Sequence, residues 1–299
     1  MADGASTAQA DAQPPGAAVV AVVGLGAMGG PIAGHLAAVG LRPLLLDLDQ
    51  ERVQTSAQRG GVPADQAAVA GADVVIVTVP DEQAVRACCL DTGLVAALKP
   101  AAVLCIASSV RPEICLEIAA ATGVADVLDT ALTGGVRGAE AGTVNLLVGG
   151  DGDALARARW ALEPWTATIH RLGPLGAGQV AKTCNNMLHW AQICAITESL
   201  ELGRRHGLDI RLLRRALLDS PVASRTLAEL EQMRFTWHAK DLANAVAAGA
   251  QVGHDLPVAR QSRQLMPGIS VDYVRELLDH ELTPQAYSDY EQVTKYDNG

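Results

Sequence analysis

The sequence predicts an α/β domain built on a doubly wound, mostly parallel sheet, followed by an all-α domain. As far as about Gly173, apolar runs of strand length alternate with stretches of helical periodicity, which is the pattern of a parallel sheet with crossover helices. Beyond Gly173 the strand signals stop, and helical stretches follow one another with glycine or proline between them. We therefore assign one domain to residues 17–173 and a second to residues 174–299.

The individual elements are predicted from periodicity and from the turn residues between them. Strands are expected at 18–23, 43–46, 72–80, 103–106, 124–128, 145–148 and 166–170, with helices that include 31–39, 81–90 and 113–121. In the second domain, helices are expected at 176–205, 209–218, 222–232, 240–252, 256–266 and 270–280. Residues 1–16 are rich in alanine, glycine and proline and are predicted to form a disordered leader.

Composition narrows the classes of function. With 299 residues, of which 49% are hydrophobic and 19% charged, the chain can bury a sizeable core. A net charge of −10 argues against binding to nucleic acid or to anionic membranes. Residues 16–41 carry no charged side chain, but a glycine cluster followed by Pro31 argues against a membrane span.

The six cysteines show no metal-ligand spacing and lie mostly in apolar contexts, as reduced core thiols do. This pattern predicts a cytoplasmic protein without a metal site.

A glycine-rich loop follows the first predicted strand and opens the first predicted helix, so it stands where a dinucleotide-binding loop stands in a Rossmann domain. Its first glycine permits a tight turn, the second lets a pyrophosphate approach the backbone, and the third lets the helix pack on the strand. The phosphates would then lie at the helix N-terminus. The predicted cofactor-binding residues of this loop are Gly24, Leu25, Gly26, Ala27, Met28 and Gly29.

Asp47 ends the second predicted strand, 23 positions after Gly24. This is close to the spacing of the acid that binds the adenosine ribose diol in dinucleotide-binding domains. The alternative is that Asp47 is only the N-cap of the next helix. No basic residue follows before Arg52, so a 2′-phosphate would meet carboxylates first, and NAD rather than NADP is predicted.

The predicted helix 176–205 carries Lys182, Asn186 and His189 at positions i, i+4 and i+7, which lie on one stripe of a helix. Apolar residues between them would bury the helix and lower the pKa of a lysine toward the range useful for proton transfer. On spacing alone, a solvated lysine on an amphipathic helix is the alternative.

Four motifs in this order resemble the β-hydroxyacid dehydrogenase family, the group that includes 3-hydroxyisobutyrate dehydrogenase and tartronate semialdehyde reductase. The resemblance covers roughly residues 19–265. The motifs are the loop 24–29, the segment 129–135 with the glycines at 138 and 142 after it, Gly178-x-x-x-Lys182-x-x-Asn185-Asn186, and Lys240-Asp241-Leu242.

The resemblance implies a role for each matching residue. Lys182 would be the general acid/base, and Asn186 would orient the substrate. The substrate carboxylate would be bound by Thr133, Gly134 and Gly135, and the cofactor contacted by Val79, Pro80, Ser109 and, on its nicotinamide side, Lys240. Family members have an active site in the cleft between their two domains and form dimers or tetramers, so a homodimer or homotetramer and a small carboxylate substrate are implied.

The sequence also departs from the family pattern. Ala131 replaces a proline and Thr133 replaces a serine, while His189 and Trp190 replace aliphatic residues. His189 would contact the substrate or serve as a core or interface histidine. The segment 220–240 is shorter than usual, and Trp237 and His238 would either line the opening of the site or simply pack.

Together these features predict reversible oxidation of a 3-hydroxy acid by NAD, with Lys182 taking the hydroxyl proton. Without the resemblance, the Gly134-Gly135 pair would be interpreted as a turn that only connects two elements. One alternative is an imine-reducing enzyme on the same fold, and another is a catalytically silent NAD-binding or chromatin-type interaction module. The Lys182/Asn186 pair and the acidic charge favour the hydroxyacid chemistry.

Overall fold

The computed structural model describes Gly16, residues 18–123 and residues 125–279. The chain divides into two compact units, the first ending at Lys182 and the second beginning at Thr183. The division falls inside the long helix Ala177–Arg205. Apart from Gly16, the predicted leader lies outside the described residues.

The first unit is built on one eight-stranded sheet in the order β3-β2-β1-β4-β5-β6-β7-β8. All neighbouring strands are parallel except β6 and β7, which are antiparallel. The prediction of a doubly wound, mostly parallel sheet is confirmed. The strands are β1 (Val20–Val23), β2 (Leu44–Leu46), β3 (Val62–Pro63), β4 (Val74–Val77), β5 (Val103–Ile106), β6 (Asp126–Thr133), β7 (Val144–Gly149) and β8 (Thr166–Gly173).

Helices cover both faces of this sheet, which explains why its central strands are continuous apolar runs. Along β4, Val74 and Ile76 belong to one buried cluster, and Val75 and Val77 belong to the other. The helices of the unit are α1 (Gly29–Ala38), α2 (Gln50–Ala57), α3 (Gln66–Ala70), α4 (Glu82–Arg86), α5 (Leu94–Ala97), α6 (Pro112–Ala121), α7 (Gly135–Ala141) and α8 (Gly152–Leu162). Full burial of each large apolar side chain stabilises such a core by roughly 1.5–3 kcal/mol.

The second unit is helical, as predicted. Its first helix begins in the first unit and crosses the boundary between Lys182 and Thr183. Its core is centred on Trp190, Ile193 and Leu242, all fully or nearly fully buried. The helices are α9 (Ala177–Arg205), α10 (Ile210–Leu218), α11 (Arg225–Ala228), α12 (His238–Gln251), α13 (Pro257–Leu265) and α14 (Val271–Leu278). Within residues 18–123 and 125–279, no helix combines the length and hydropathy that a membrane crossing requires.

Several predicted bounds were wrong: the strand predicted at 72–80 is limited to Val74–Val77, and the strand predicted at 166–170 continues to Gly173. Three other elements differ more. β6 does not end near residue 128 but continues to Thr133, because its second half pairs with β7. The predicted helix 222–232 consists of α11 and a separate 3₁₀ turn, Leu230–Gln232, because Glu229 leaves the helical region at φ −124°. The predicted helix 81–90 is α4 followed by a π-helical turn, Ala87–Asp91.

Candidate cofactor and substrate site

The glycine-rich loop lies between β1 and α1. Two of its glycines are required by the close packing of the protein around them. Gly24 has a φ of +87°, and a Cβ there would lie 2.9 Å from Val79 Cγ1. A Cβ at Gly29 would overlap the carbonyl oxygen of Gly24 and the hydroxyl of Thr78. That hydroxyl donates to the Gly24 carbonyl at 2.5 Å and so holds the turn against the end of β4. Only glycine therefore fits at positions 24 and 29.

Gly26 has a different environment. The nearest atom to a Cβ built at Gly26 is Nη1 of Arg52, at 3.6 Å, so the packing of the chain leaves room there. A Cβ would fill the space through which a pyrophosphate approaches the loop. Among the other loop residues, Leu25 is buried in the core, Ala27 is exposed, and Met28 precedes α1 without a capping hydrogen bond from its side chain. The loop fits a dinucleotide.

Asp47 lies directly after β2, beside this loop. One carboxylate oxygen accepts the Leu25 N–H at 2.5 Å, and the other accepts the Asp49 N–H at 2.8 Å. The N-cap of α2 is Asp49, which accepts the backbone N–H groups of Glu51 and Arg52. Arg52 forms an ion pair with Asp49 at 3.1 Å. The capping role considered for Asp47 therefore belongs to Asp49, and a basic residue reaches the loop despite its distance in sequence.

The segments after β4 and β5 carry Val79, Pro80 and Ser109. Because β1, β2, β4 and β5 are parallel, their carboxyl ends meet at one edge of the sheet, where α/β proteins bind ligands. The buried hydroxyl of Ser108 donates to the Val79 carbonyl at 2.7 Å and joins the two segments. The structure thus brings the predicted cofactor residues of the first unit to the same sheet edge.

Asp129, in the middle of β6, fixes the start of α9. It is fully buried, and its two carboxylate oxygens accept the backbone N–H groups of Gly176 and Gln179, both at 2.7 Å. Burial raises the pKa of the Asp129 carboxyl above its usual range, while these N–H donors oppose the rise. A Cβ at Gly178 would lie 2.7 Å from the carboxylate and would overlap the Leu147 carbonyl. The glycine of the Gly178-x-x-x-Lys182 motif is therefore required by this close contact.

Gln179 connects the same helix to the segment after β5. Its side chain is 1% exposed, donates to the Ser108 carbonyl at 2.9 Å and accepts the Val110 N–H at 3.2 Å. These two bonds bracket Ser109. Lys182 follows three residues later on α9 and is half-buried.

Thr133, Gly134 and Gly135 form the connection from β6 to α7. Gly134 and Gly135 have φ values of +110° and +62°, a region that favours glycine. Both are exposed, and nothing lies within 4 Å of a Cβ built at Gly135. Since β6 is parallel to β5, this segment leaves the sheet at the same edge as Ser109.

In the second unit, Asn186 and His189 are half-buried, whereas Asn185 and Leu188 on the same helix are exposed. Asn186 follows Lys182 by one helical turn, about 6 Å along the axis. His189 Nδ1 lies 3.3 Å from the Thr226 hydroxyl, and its ring centroid is 4.9 Å from that of Trp190. His189 therefore packs and hydrogen-bonds within its own unit.

Lys240 lies half-buried in the first turn of α12. Its neighbour Asp241 accepts a hydrogen bond from Trp190 Nε1 at 3.0 Å. His238 packs edge-on against Trp190, with 6.0 Å between ring centroids, while Trp237 is 60% exposed.

Sequence reasoning missed several polar anchors of this site: Thr78, Ser108, Gln179 and the Trp190–Asp241 pair. It also placed Asp129 at a strand end and gave it no function. The available signal was a polar residue at a position that periodicity assigns to the interior.

Two family models match the chain one after the other. Residues 19–173 match the NAD binding domain of 6-phosphogluconate dehydrogenase, and residues 176–281 match a domain described as NAD-binding of NADP-dependent 3-hydroxyisobutyrate dehydrogenase. The chain is 40% identical over 207 residues to 3-hydroxyisobutyrate dehydrogenase of Pseudomonas aeruginosa, covering 67% of this chain and 69% of the relative. It is also 40% identical over 200 residues to NAD-dependent L-serine dehydrogenase of the same organism, covering 65% and 67%.

Among solved structures, the chain resembles Mycobacterium tuberculosis 3-hydroxyisobutyrate dehydrogenase with L-serine. The TM-score is 0.74 at 30% identity, covering 88% of this chain and 94% of that chain. These relatives are dehydrogenases, and both matching domain models are nicotinamide-nucleotide binding domains. The chain is accordingly an NAD(P)-dependent dehydrogenase that acts on a CH–OH group, and it belongs to the β-hydroxyacid dehydrogenase family.

Proposed function

We propose that the chain interconverts a 3-hydroxy acid and its semialdehyde or ketone with NAD, and that Lys182 is the general acid/base. The observation that carries this assignment is the anchoring of α9. Asp129 and Gln179 hold the first turn of the helix to the sheet edge where the cofactor loop and Ser109 lie. This anchoring limits the movement of the half-buried Lys182, one turn further along α9, relative to the sheet edge that would bind the cofactor. Proton transfer at the reacting carbon requires such a fixed position.

In the proposed reaction, neutral Lys182 Nζ accepts the proton of the substrate hydroxyl during oxidation. In reduction, the ammonium form returns it to the developing alkoxide. When bound, the nicotinamide supplies hydride acceptance and donation. Asn186, one turn along the stripe, orients the substrate through its carboxamide. General acid/base catalysis by one positioned group is worth roughly 10²–10⁴-fold in rate.

We further propose that Thr133, Gly134 and Gly135 bind the substrate carboxylate. The hydroxyl of Thr133 is a donor, and the open space at Gly135 lets an anion approach backbone N–H groups more closely than a Cβ would permit. First substrates to test are 3-hydroxyisobutyrate and L-serine, the compounds named by the relatives. For His189 we propose a substrate-side position, with the Thr226 contact orienting its ring.

NAD is the proposed cofactor. Asp47 and Asp49 present two carboxylates at the end of β2. Arg52, the basic residue that approaches the glycine-rich loop, forms an ion pair with Asp49. A 2′-phosphate would be repelled by both acids and would compete with Asp49 for Arg52. Val79, Pro80, Ser109 and Lys240 complete the proposed set of cofactor contacts.

We also propose that residues 17–173 form the NAD-binding domain, that residues 174–299 serve substrate binding and oligomerisation, and that the protein is a cytoplasmic homodimer or homotetramer. Two large apolar side chains on one side of α9, Leu188 and Leu202, are 58% and 59% exposed. Such an exposed apolar surface supports burial of this side of the helix against a second subunit. Buried free thiols support a reducing compartment; burial raises the pKa of the Cys105 thiol to about 12. Light scattering after size exclusion measures the assembly.

One panel assay tests the function. It compares 3-hydroxy acids, their decarboxylated analogues and cyclic imines by NADH absorbance. Turnover of the acids alone is expected. Turnover of imines but not acids would favour the imine-reductase alternative, and no turnover of either class would favour a silent NAD-binding module.

A further inference from the structure

Trp190 is buried at the centre of the second unit, yet its one polar atom is directed at a carboxylate. The side chain is 3% exposed, and Nε1 donates to Asp241 Oδ2 at 3.0 Å. The two residues are 51 positions apart, so the bond joins α9 to α12. Asp241 directly follows Lys240, to which we assign a place at the cofactor.

The start of α12 is not capped by the side chain at its N-cap position, which is Trp237. Helix starts leave backbone donors unsatisfied and fray unless something holds them. Here the carboxylate of Asp241, in the first turn of α12, accepts a hydrogen bond from the Trp190 indole on α9. This bond restrains the start of the helix as a capping side chain would.

The aromatic contacts of Trp190 reinforce this arrangement. Phe235, just before α12, packs edge-on at 6.5 Å between ring centroids, and His238, its first residue, packs in the same way at 6.0 Å. Leu242, the residue after Asp241, is fully buried in the same core. The indole therefore contacts the chain before, at and after the start of the helix.

We propose that Trp190 is a positioning residue: through Asp241 it fixes the first turn of α12, and so places Lys240 for the cofactor. This inference rests on the proposed function of Lys240. Lys240 and Asn186 both belong to the second unit. The Trp190–Asp241 hydrogen bond therefore sets the position of Lys240 relative to Asn186 within that unit.

The first test needs no turnover. Hydrogen–deuterium exchange of the full chain is compared between the parent and Trp190→Phe, which keeps an aromatic ring but removes the donor. We expect amides in residues 241–244, which donate to carbonyls of the first turn, to exchange at least about tenfold faster, with those of α13 and α14 unchanged. Unchanged exchange in 241–244 would overturn the tether. Asp241→Leu removes the acceptor instead of the donor and should give the same result, so the test survives if Trp190→Phe folds poorly.

The second test asks whether the tether acts through Lys240. In the parent background, Trp190→Phe should lower kcat/KM for NAD about tenfold. In the Lys240→Ala background the same substitution should change it less than twofold, because the side chain being positioned is gone. An equal loss in both backgrounds would mean a merely structural role and would refute the proposal. If the parent turns over no acid, the proposed function fails, and the NADH dissociation constants of the same four proteins decide this inference.

Discussion

Replacing Asp129 with asparagine tests how the start of α9 is held. In the parent, each carboxylate oxygen accepts one backbone N–H, from Gly176 and from Gln179, in a site with no solvent exposure. Asparagine has nearly the same shape but only one acceptor oxygen. Its amide group would therefore face one of the two N–H donors and leave that donor unsatisfied.

The magnitude follows from the bonds that change. A hydrogen bond to a charged group contributes about 1.5–3 kcal/mol, and a neutral one about 0.5–1.5 kcal/mol. Asp129→Asn removes one charged bond and makes the other neutral, a loss of about 2.5–4.5 kcal/mol. Relief from burying a charge, the same burial that raises the Asp129 pKa, offsets part of that loss. We expect the free energy of unfolding to fall by about 2–3 kcal/mol, which lowers Tm by about 4–12 °C in a unit of this size.

The measurement is thermal unfolding of the full chain, read at the transition of the first unit, together with kcat at 20 °C. Asp126→Asn is the matched control, since Asp126 begins the same strand but is only half-buried, and its carboxylate forms an ion pair with Arg157. It should change stability by less than about 1 kcal/mol. Because Lys182 lies just beyond the anchored turn, Asp129→Asn should also lower kcat about tenfold or more. A variant as stable as the control would show that the two N–H contacts do not hold the helix.

Four further results are expected. Lys182→Ala should lower kcat by at least about 10² with an unchanged NADH dissociation constant, and retained turnover would remove Lys182 from the chemistry. The parent should prefer NAD, and Asp47→Ala should narrow the ratio of kcat/KM for NAD over NADP about tenfold; equal values in the parent would contradict the cofactor proposal. Thr133→Val, which keeps the shape and loses the hydroxyl, should raise KM for the carboxylate substrate about tenfold while KM for NAD stays constant; an unchanged substrate KM would remove that donor from the subsite. Finally, burial holds the folded-state pKa of Asp129 above 3.8, its value in the unfolded chain, so protonation of this carboxyl stabilises the folded chain. This proton-linked part of the stability is full below pH 3.8 and is lost as the pH rises through the folded pKa. The stability difference between the parent and Asp129→Asn should therefore widen on acidification from neutral pH, and a narrowing measured by urea unfolding would reverse the assigned shift.

Local patterns in the sequence determined the fold class and the placement of the main motifs. Continuous apolar runs predicted strands buried on both faces, and the strand–glycine loop–helix order predicted the cofactor loop. α9 was predicted within one residue of its observed start, because its punctuation and periodicity lie within the helix itself. The stripe of Lys182, Asn186 and His189 follows from that helix alone, and the same three side chains are half-buried.

Other features depend on contacts between residues far apart in the chain. Strand pairing extended β6 beyond its apolar run to Thr133, because β7 satisfies its backbone. Arg52 reaches the glycine loop only because α2 returns beside it. Periodicity reports which side of an element faces inward, but not which partner it meets there.

The polar anchors show the same limit most clearly. Asp129 meets Gly176 and Gln179 across 47 and 50 positions, and Trp190 meets Asp241 across 51. A buried aspartate or an indole N–H in a sequence signals that some partner must exist, since leaving such a group unpaired is costly. Which partner it has, and therefore that the start of α9 and the first turn of α12 are held in place, was decided only by the packing of the folded chain.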